Sequence, residues 1–168
     1  FPEGTSDFSA YVANAKKTGC DVFFSPVSIE AAALIIEQAN TQGLSIPILD
    51  SDTWDSNVVL AAAKGTNVKI YVTTFFVEGS EDKQVVDFVN GIREYLKSNA
   101  TALTNNGGND EIAAVTAMGY DAYYTALEAI KLAGSVKSED IKAVLPKVTY
   151  KGVSGDIAFN EIGDANRD

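Results

Sequence analysis

The sequence predicts an α/β fold in which a parallel sheet is flanked by helices. Three observations carry that expectation. Helical spacing and short apolar strand runs alternate through residues 6–74. The links between them are short, so successive strands pair in parallel through right-handed crossovers. The chain has 168 residues, 46% of them hydrophobic, which suits a buried core in one ordinary domain or two small ones.

The first helix spans residues 6–18, where Phe8, Tyr11, Val12 and Ala15 recur at spacings of three and four. Gly19 stops it, with Lys16 and Lys17 in the last turn, where cations suit the helix dipole. Val22-Phe23-Phe24-Ser25 reads as a short buried strand ended by Pro26. Ser28 then caps a helix over residues 29–42, with Glu30 in its first turn and Gly43 after it. Its run Ala31-Ala32-Ala33-Leu34-Ile35-Ile36 is apolar almost all round, so the helix is largely covered. Residues 46–49 form the next strand, 50–55 a loop, 58–63 a short helix and 68–74 a third strand.

The second half changes character. Val85, Val89, Ile92 and Leu96 mark an amphipathic helix over residues 80–99. Residues 101–110 read as a flexible polar loop. A long apolar helix over 111–133 carries Tyr120, Tyr123 and Tyr124 and stops at Gly134. Ser138 caps a shorter helix to Leu145, and Pro146 ends it. Residues 153–159 read as a closing strand or hairpin arm before a turn at 160–164.

Composition excludes several chemistries. There is no His, so neither a Ser-His-Asp nor a Cys-His nucleophile system can be built, nor an HExxH zinc site. The single Cys20 allows no internal disulfide or CxxC site and reads as a small buried hydrophobe. A net charge of −10 argues against nucleic acid, whose phosphates it would repel. Phe1-Pro2-Glu3-Gly4 is no signal peptide, and no apolar run reaches the length of a membrane span. The start at Phe1 suggests a processed or truncated chain.

In parallel sheets ligands bind beyond the carboxyl ends of the strands. That rule points to two loops, Ser25-Pro26-Val27-Ser28 and residues 50–55. Asp50-Ser51-Asp52-Thr53-Trp54-Asp55 is the sharpest polar cluster. As a calcium loop it fails, with Trp54 at a ligand position, no Gly at the sharp turn and Ala61 where Glu belongs. As an aspartyl-phosphate site it fits in part, one of Asp50 and Asp52 attacking and the other acting as acid. The simpler alternative is that Asp55 or Ser56 caps the following helix. Asp52, two residues past the strand end, stands where a bound group would sit. Gly152-Val153-Ser154-Gly155 is a turn, since its spacing is wrong for GxSxG and no base exists. Gly107-Gly108 is too loose to cradle a phosphate. The three tyrosines read as core residues with hydroxyls toward solvent.

With those residues in hand, the chain resembles the solute-binding proteins of ABC transporters for branched-chain and other amino acids, with the type I periplasmic-binding fold. The resemblance lies in Gly4-Thr5-Ser6-Asp7-Phe8-Ser9, Cys20-Asp21-Val22-Phe23-Phe24-Ser25-Pro26 through Ala39, residues 48–56, Gly119-Tyr120-Asp121-Ala122, and Gly152-Val153-Ser154-Gly155 with Phe159-Asn160-Glu161-Ile162-Gly163-Asp164. It implies a two-lobed binder, not an enzyme, that closes on an amino acid and delivers it to a membrane permease, with no cofactor or metal. Asp52 matches the carboxylate that pairs with the ligand ammonium, Ser28 and Val27 lie near a ligand-packing position, and Trp54 would form a pocket wall. Val27-Ser28-Ile29 stands where the family has aromatic residues, a departure that weakens branched-chain specificity.

The family is about twice as long as this chain. The resemblance therefore implies a C-terminal half. Residues 1–74 would be a lobe-two βαβαβ segment, 75–149 a helical segment normally packed on lobe one, and 150–168 a return across the hinge. It also implies a periplasmic or extracellular location, with lipid anchoring through a missing N-terminus as an option, and self-association of helices left without their sheet. Two alternatives stand beside it: an aspartate-dependent phosphotransfer enzyme and a ligand-sensing receptor domain of the same fold.

Overall fold

The computed structural model describes residues 1–2 and 4–167; Glu3, in the Gly4 motif's lead-in, and Asp168, the end of the expected return segment, lie outside the described residues. The chain divides into two compact units, Phe1–Thr74 and Phe75–Asp168.

The first unit follows the alternation read from the sequence. Its elements are α1 (Ser9–Thr18), β1 (Phe23–Phe24), α2 (Ile29–Thr41), β2 (Ile48–Asp50), a 3-10 turn (Asp52–Trp54), α3 (Asn57–Ala63) and β3 (Ile70–Val72). The strands form one parallel sheet in the order β1-β2-β3, with Phe23 opposite Ile48 and Ile48 opposite Ile70. Alternate residues therefore share a face. Phe23, Ile48 and Ile70 join a core with Phe8 and Val12 of the first helical segment, Ile35, Ile36 and Ala39 of α2, and Trp54. Each such side chain, fully buried, contributes roughly 1.5–3 kcal/mol. The other face carries the cross-strand row Phe24, Leu49 and Tyr71, all exposed.

Gln38 fastens the start of α1 to α2. Its Oε1 accepts from Phe8 N at 2.6 Å, and its Nε2 donates to Ser6 O at 2.9 Å. Gly19 ends α1 in the left-handed conformation at φ 68°, which only glycine adopts without strain. Cys20 is half-buried against this core, its thiol directed at Ala15 O.

The second unit contains α4 (Lys83–Ser98), α5 (Ala100–Asn105), α6 (Ala114–Ala133), α7 (Ser138–Val144), a 3-10 turn (Leu145–Lys147), β4 (Thr149–Gly152), β5 (Gly155–Phe159) and β6 (Ala165–Arg167). Val85, Phe88, Val89 and Leu96 are the buried stripe of α4, and Asp82 caps it by accepting from Gln84 N at 2.8 Å. The polar stretch read as a loop starts with a helix instead. Asn99 accepts from Ala102 N at 2.9 Å, and this cap restarts the chain as α5 directly after α4. Residues 149–167 form an antiparallel sheet in the order β4-β5-β6, with Val153-Ser154 as the hairpin turn. This last segment packs within the second unit, where β4 lies against α6.

Asp121 of α6 locks that packing. The carboxylate is fully buried and accepts from Val153 N at 2.9 Å, Ser154 N at 2.8 Å and Ser154 Oγ at 2.6 Å. Burying a carboxylate is expensive unless its lone pairs are filled, and three donors fill these.

Candidate functional site

The two strand-end loops of the first unit meet, and Asp50 is what joins them. It was expected in the loop but ends β2 in register with Val72. It is 1% exposed. Its Oδ1 accepts from Ser51 N at 2.6 Å, from Thr53 Oγ1 at 3.2 Å and from Ser51 Oγ at 3.3 Å. Its Oδ2 faces Val27 N at 3.5 Å, at the limit of a hydrogen bond. Burial raises the Asp50 pKa above its usual value, and the hydrogen bonds from Ser51, Val27 and Thr53 offset part of that rise.

Val27 is the second joint. Its carbonyl accepts from Trp54 Nε1 at 3.1 Å and from Thr53 Oγ1 at 3.2 Å. The Trp54 indole is 1% exposed and belongs to the core, so its polar edge holds the loop from behind. The 3-10 turn closes through Trp54 N to Ser51 O and Asp55 N to Asp52 O, and Thr74 Oγ1 donates to Asp55 Oδ2 at 2.5 Å. Ser56 stands at the N-cap of α3, but its side chain makes no capping bond.

Asp52 heads the turn, half-buried. No hydrogen bond or ion pair engages its carboxylate among the described residues, in contrast to Asp50. Ser28 is exposed at the N-cap of α2 and hydrogen bonds to Glu30, holding the Glu30 pKa below its usual value. The four residues singled out from the sequence thus fall on two adjoining loops. Val27 and Trp54 touch directly, while Ser28 and Asp52 are the solvent-facing members. Asp50, which spacing alone made a loop acid, is the buried anchor. The Ser at +1 and Thr at +3 that bond it are the signal that marks it.

Two strand-end loops of a parallel sheet are thus tied together around Val27, with the Asp52 carboxylate left uncommitted beside them. The family model described as "Periplasmic binding protein" matches residues 1–167, and the chain belongs to that family. That family is one of binding proteins rather than of enzymes. The chain is 30% identical over 162 residues to Leu/Ile/Val-binding protein homolog 1 of Brucella abortus, covering 96% of this chain and 40% of that protein. Among solved structures it is similar to a leucine binding protein, LivK, from Thermotoga maritima (TM-score 0.80, 29% identity, 99% of this chain and 45% of that one). It shares the fold of LivJ from Streptococcus pneumoniae, solved in complex with isoleucine (TM-score 0.79, 23% identity, 99% and 45% covered). The chain thus spans less than half the length of these relatives.

Three expectations are corrected. The family model takes in residues 1–167 from end to end, so the chain as a whole is assigned to the family, and the comparisons do not mark it as a C-terminal half. The lipid-anchor option rested on that half-chain reading and is not carried forward. The phosphotransfer alternative fails at Asp50, whose carboxylate oxygens are sealed from solvent and taken up by Ser51, Thr53 and Val27, leaving none to attack a phosphoryl group. No group of three or more His, Cys, Asp or Glu side chains able to hold a metal occurs among the described residues.

Proposed function

We propose that this protein serves an ABC importer as its solute-binding component, capturing an amino acid in the periplasm or extracellular space and passing it to a membrane permease. The observation that carries the reading is the division of labour between two neighbouring acids. Asp50 is spent on loop structure, while Asp52 is left with an open carboxylate at the carboxyl end of β2. A charge-assisted bond to a partly desolvated ammonium group is the interaction such a carboxylate makes best. Val27 and Ser28 contribute the adjoining wall, and Trp54 holds Val27 in place. The names of the relatives, a Leu/Ile/Val-binding homologue and a leucine binding protein, favour an aliphatic amino acid as the ligand.

In this proposal residues 1–74 are the lobe-two segment, 75–149 a helical segment of lobe one and 150–168 the return segment. Self-association belongs to it as well, since Val115, Tyr123 and Leu132 of α6 are exposed. Light scattering at rising concentration should show a growing mass; a constant monomer mass sinks that part. The binding role is tested by calorimetric titration of leucine, isoleucine and valine into the complete gene product, wild type and Asp52→Ala.

A further inference from the structure

The second unit holds an open-sided cavity of about 320 Å³ between its helices and its antiparallel sheet, far in sequence from the strand-end loops. Thr125, Ala126 and Ala129 of α6, Ile141 of α7, and Ile157 and Phe159 of β5 line it. None of its described lining residues is ionisable. Its polar side chain is Thr125, 6% exposed, and the Thr125 hydroxyl has no hydrogen-bond partner. A helical Thr usually returns its hydroxyl to the carbonyl four residues back. Here that bond is not made, and a buried hydroxyl without a partner is costly.

From the unpartnered Thr125 hydroxyl in this apolar cavity, we propose that it binds a small neutral amphiphile with a single hydroxyl or carbonyl head, that head bonding Thr125. The size, polarity and charge of the cavity agree on this class. Its volume is roughly twice the ~150 Å³ that accommodates one benzene, enough for about eight to twelve non-hydrogen atoms. An ordered water at the buried Thr125 hydroxyl would need two to four polar partners, and the described side chains here offer one. A free amino acid fits less well, because the described lining residues offer no counter-charge to either of its charged groups. The inference is independent of the amino-acid site proposed for the first unit.

The test is titration of the complete isotope-labelled gene product with 1-octanol, with toluene and leucine as comparison ligands, read by amide and methyl chemical shifts. Octanol should give saturable shifts centred on Thr125, Ala129 and Ile157. Thr125→Val keeps the shape and removes the hydroxyl. It should weaken octanol by about threefold to tenfold, the worth of one ordinary hydrogen bond, and leave toluene unchanged. Ala129→Phe fills the cavity and should abolish both. Should that variant fail to fold, the Thr125→Val comparison decides alone. Absence of saturable octanol shifts, equal octanol affinity in Thr125→Val, or leucine shifting the same residues would each overturn the proposal.

Discussion

Gly152→Ala should be among the most damaging single-methyl additions in this chain. An ideal Cβ at Gly152 would stand 2.4 Å from Asp121 Oδ2, 2.6 Å from Cγ and 2.8 Å from Oδ1. Nothing there is a flexible side-chain end, because the carboxylate is fully buried and held by Val153 N, Ser154 N and Ser154 Oγ. Either the carboxylate withdraws from those donors or β4 backs away from α6. The first route loses one or two bonds to a charged acceptor, at about 1.5–3 kcal/mol each. The second is overpacking, at about 1–3 kcal/mol. A destabilisation of about 2–5 kcal/mol is expected by guanidinium unfolding, followed by near-UV circular dichroism of the tyrosines stacked around Tyr124 and Tyr150. Since one contact is responsible, Asp121→Ala and Gly152→Ala together should cost less than the sum of the two by about 1–3 kcal/mol. Strict additivity, or a Gly152→Ala variant within about 0.5 kcal/mol of wild type, would refute the reasoning.

Two predictions concern the strand-end loops. Burial raises the Asp50 pKa from 3.8, so the folded chain keeps that proton to higher pH than the unfolded chain. This contribution to stability is fully present at and below about pH 4 and declines as pH rises through the Asp50 titration. Thermal melts from about pH 4 to about pH 7 should show the stability of wild type falling relative to Asp50→Asn; a wild type that gains stability relative to Asp50→Asn as pH rises would contradict the burial argument. Trp54→Phe removes the donor to Val27 O while Thr53 Oγ1 still bonds that carbonyl. It should cost about 1–3 kcal/mol and weaken amino-acid binding, and a variant with unchanged affinity would show that Trp54 does not position the loop.

Much of the fold is legible in the sequence where a local rule and a tertiary demand agree. Phe8, Val12 and Ala15 repeat at helical spacing, and all three are buried, Phe8 at the N-cap of α1 and Val12 and Ala15 within it. Val85, Val89 and Leu96 do the same in α4. The readings part where one of the two is missing. β6 has the weak strand composition Ala165-Asn166-Arg167 and exists because β5 offers it a partner edge. α5 begins on an Asn99 cap inside a stretch whose Thr and Asn content reads as loop. In the site, the acidic cluster is obvious, but the roles of its members are not. Asp50 and Asp52 differ by burial, and burial depends on Val27, which lies 23 residues before Asp50 in the chain. Asp121 is invisible for the same reason. A lone acid on an apolar helix gains its meaning only from the turn at Val153-Ser154 that its carboxylate holds.

The most direct test of the central claim is calorimetry of leucine, isoleucine and valine with the complete gene product and with Asp52→Ala. The account predicts one-to-one binding of at least one of the three by the wild type. Asp52→Ala should bind about tenfold to a hundredfold more weakly, the worth of one charge-assisted hydrogen bond. Its melting should match wild type, because the Asp52 carboxylate bears no structural bond among the described residues. No heat from any of the three amino acids, or equal affinity in the variant, would contradict it.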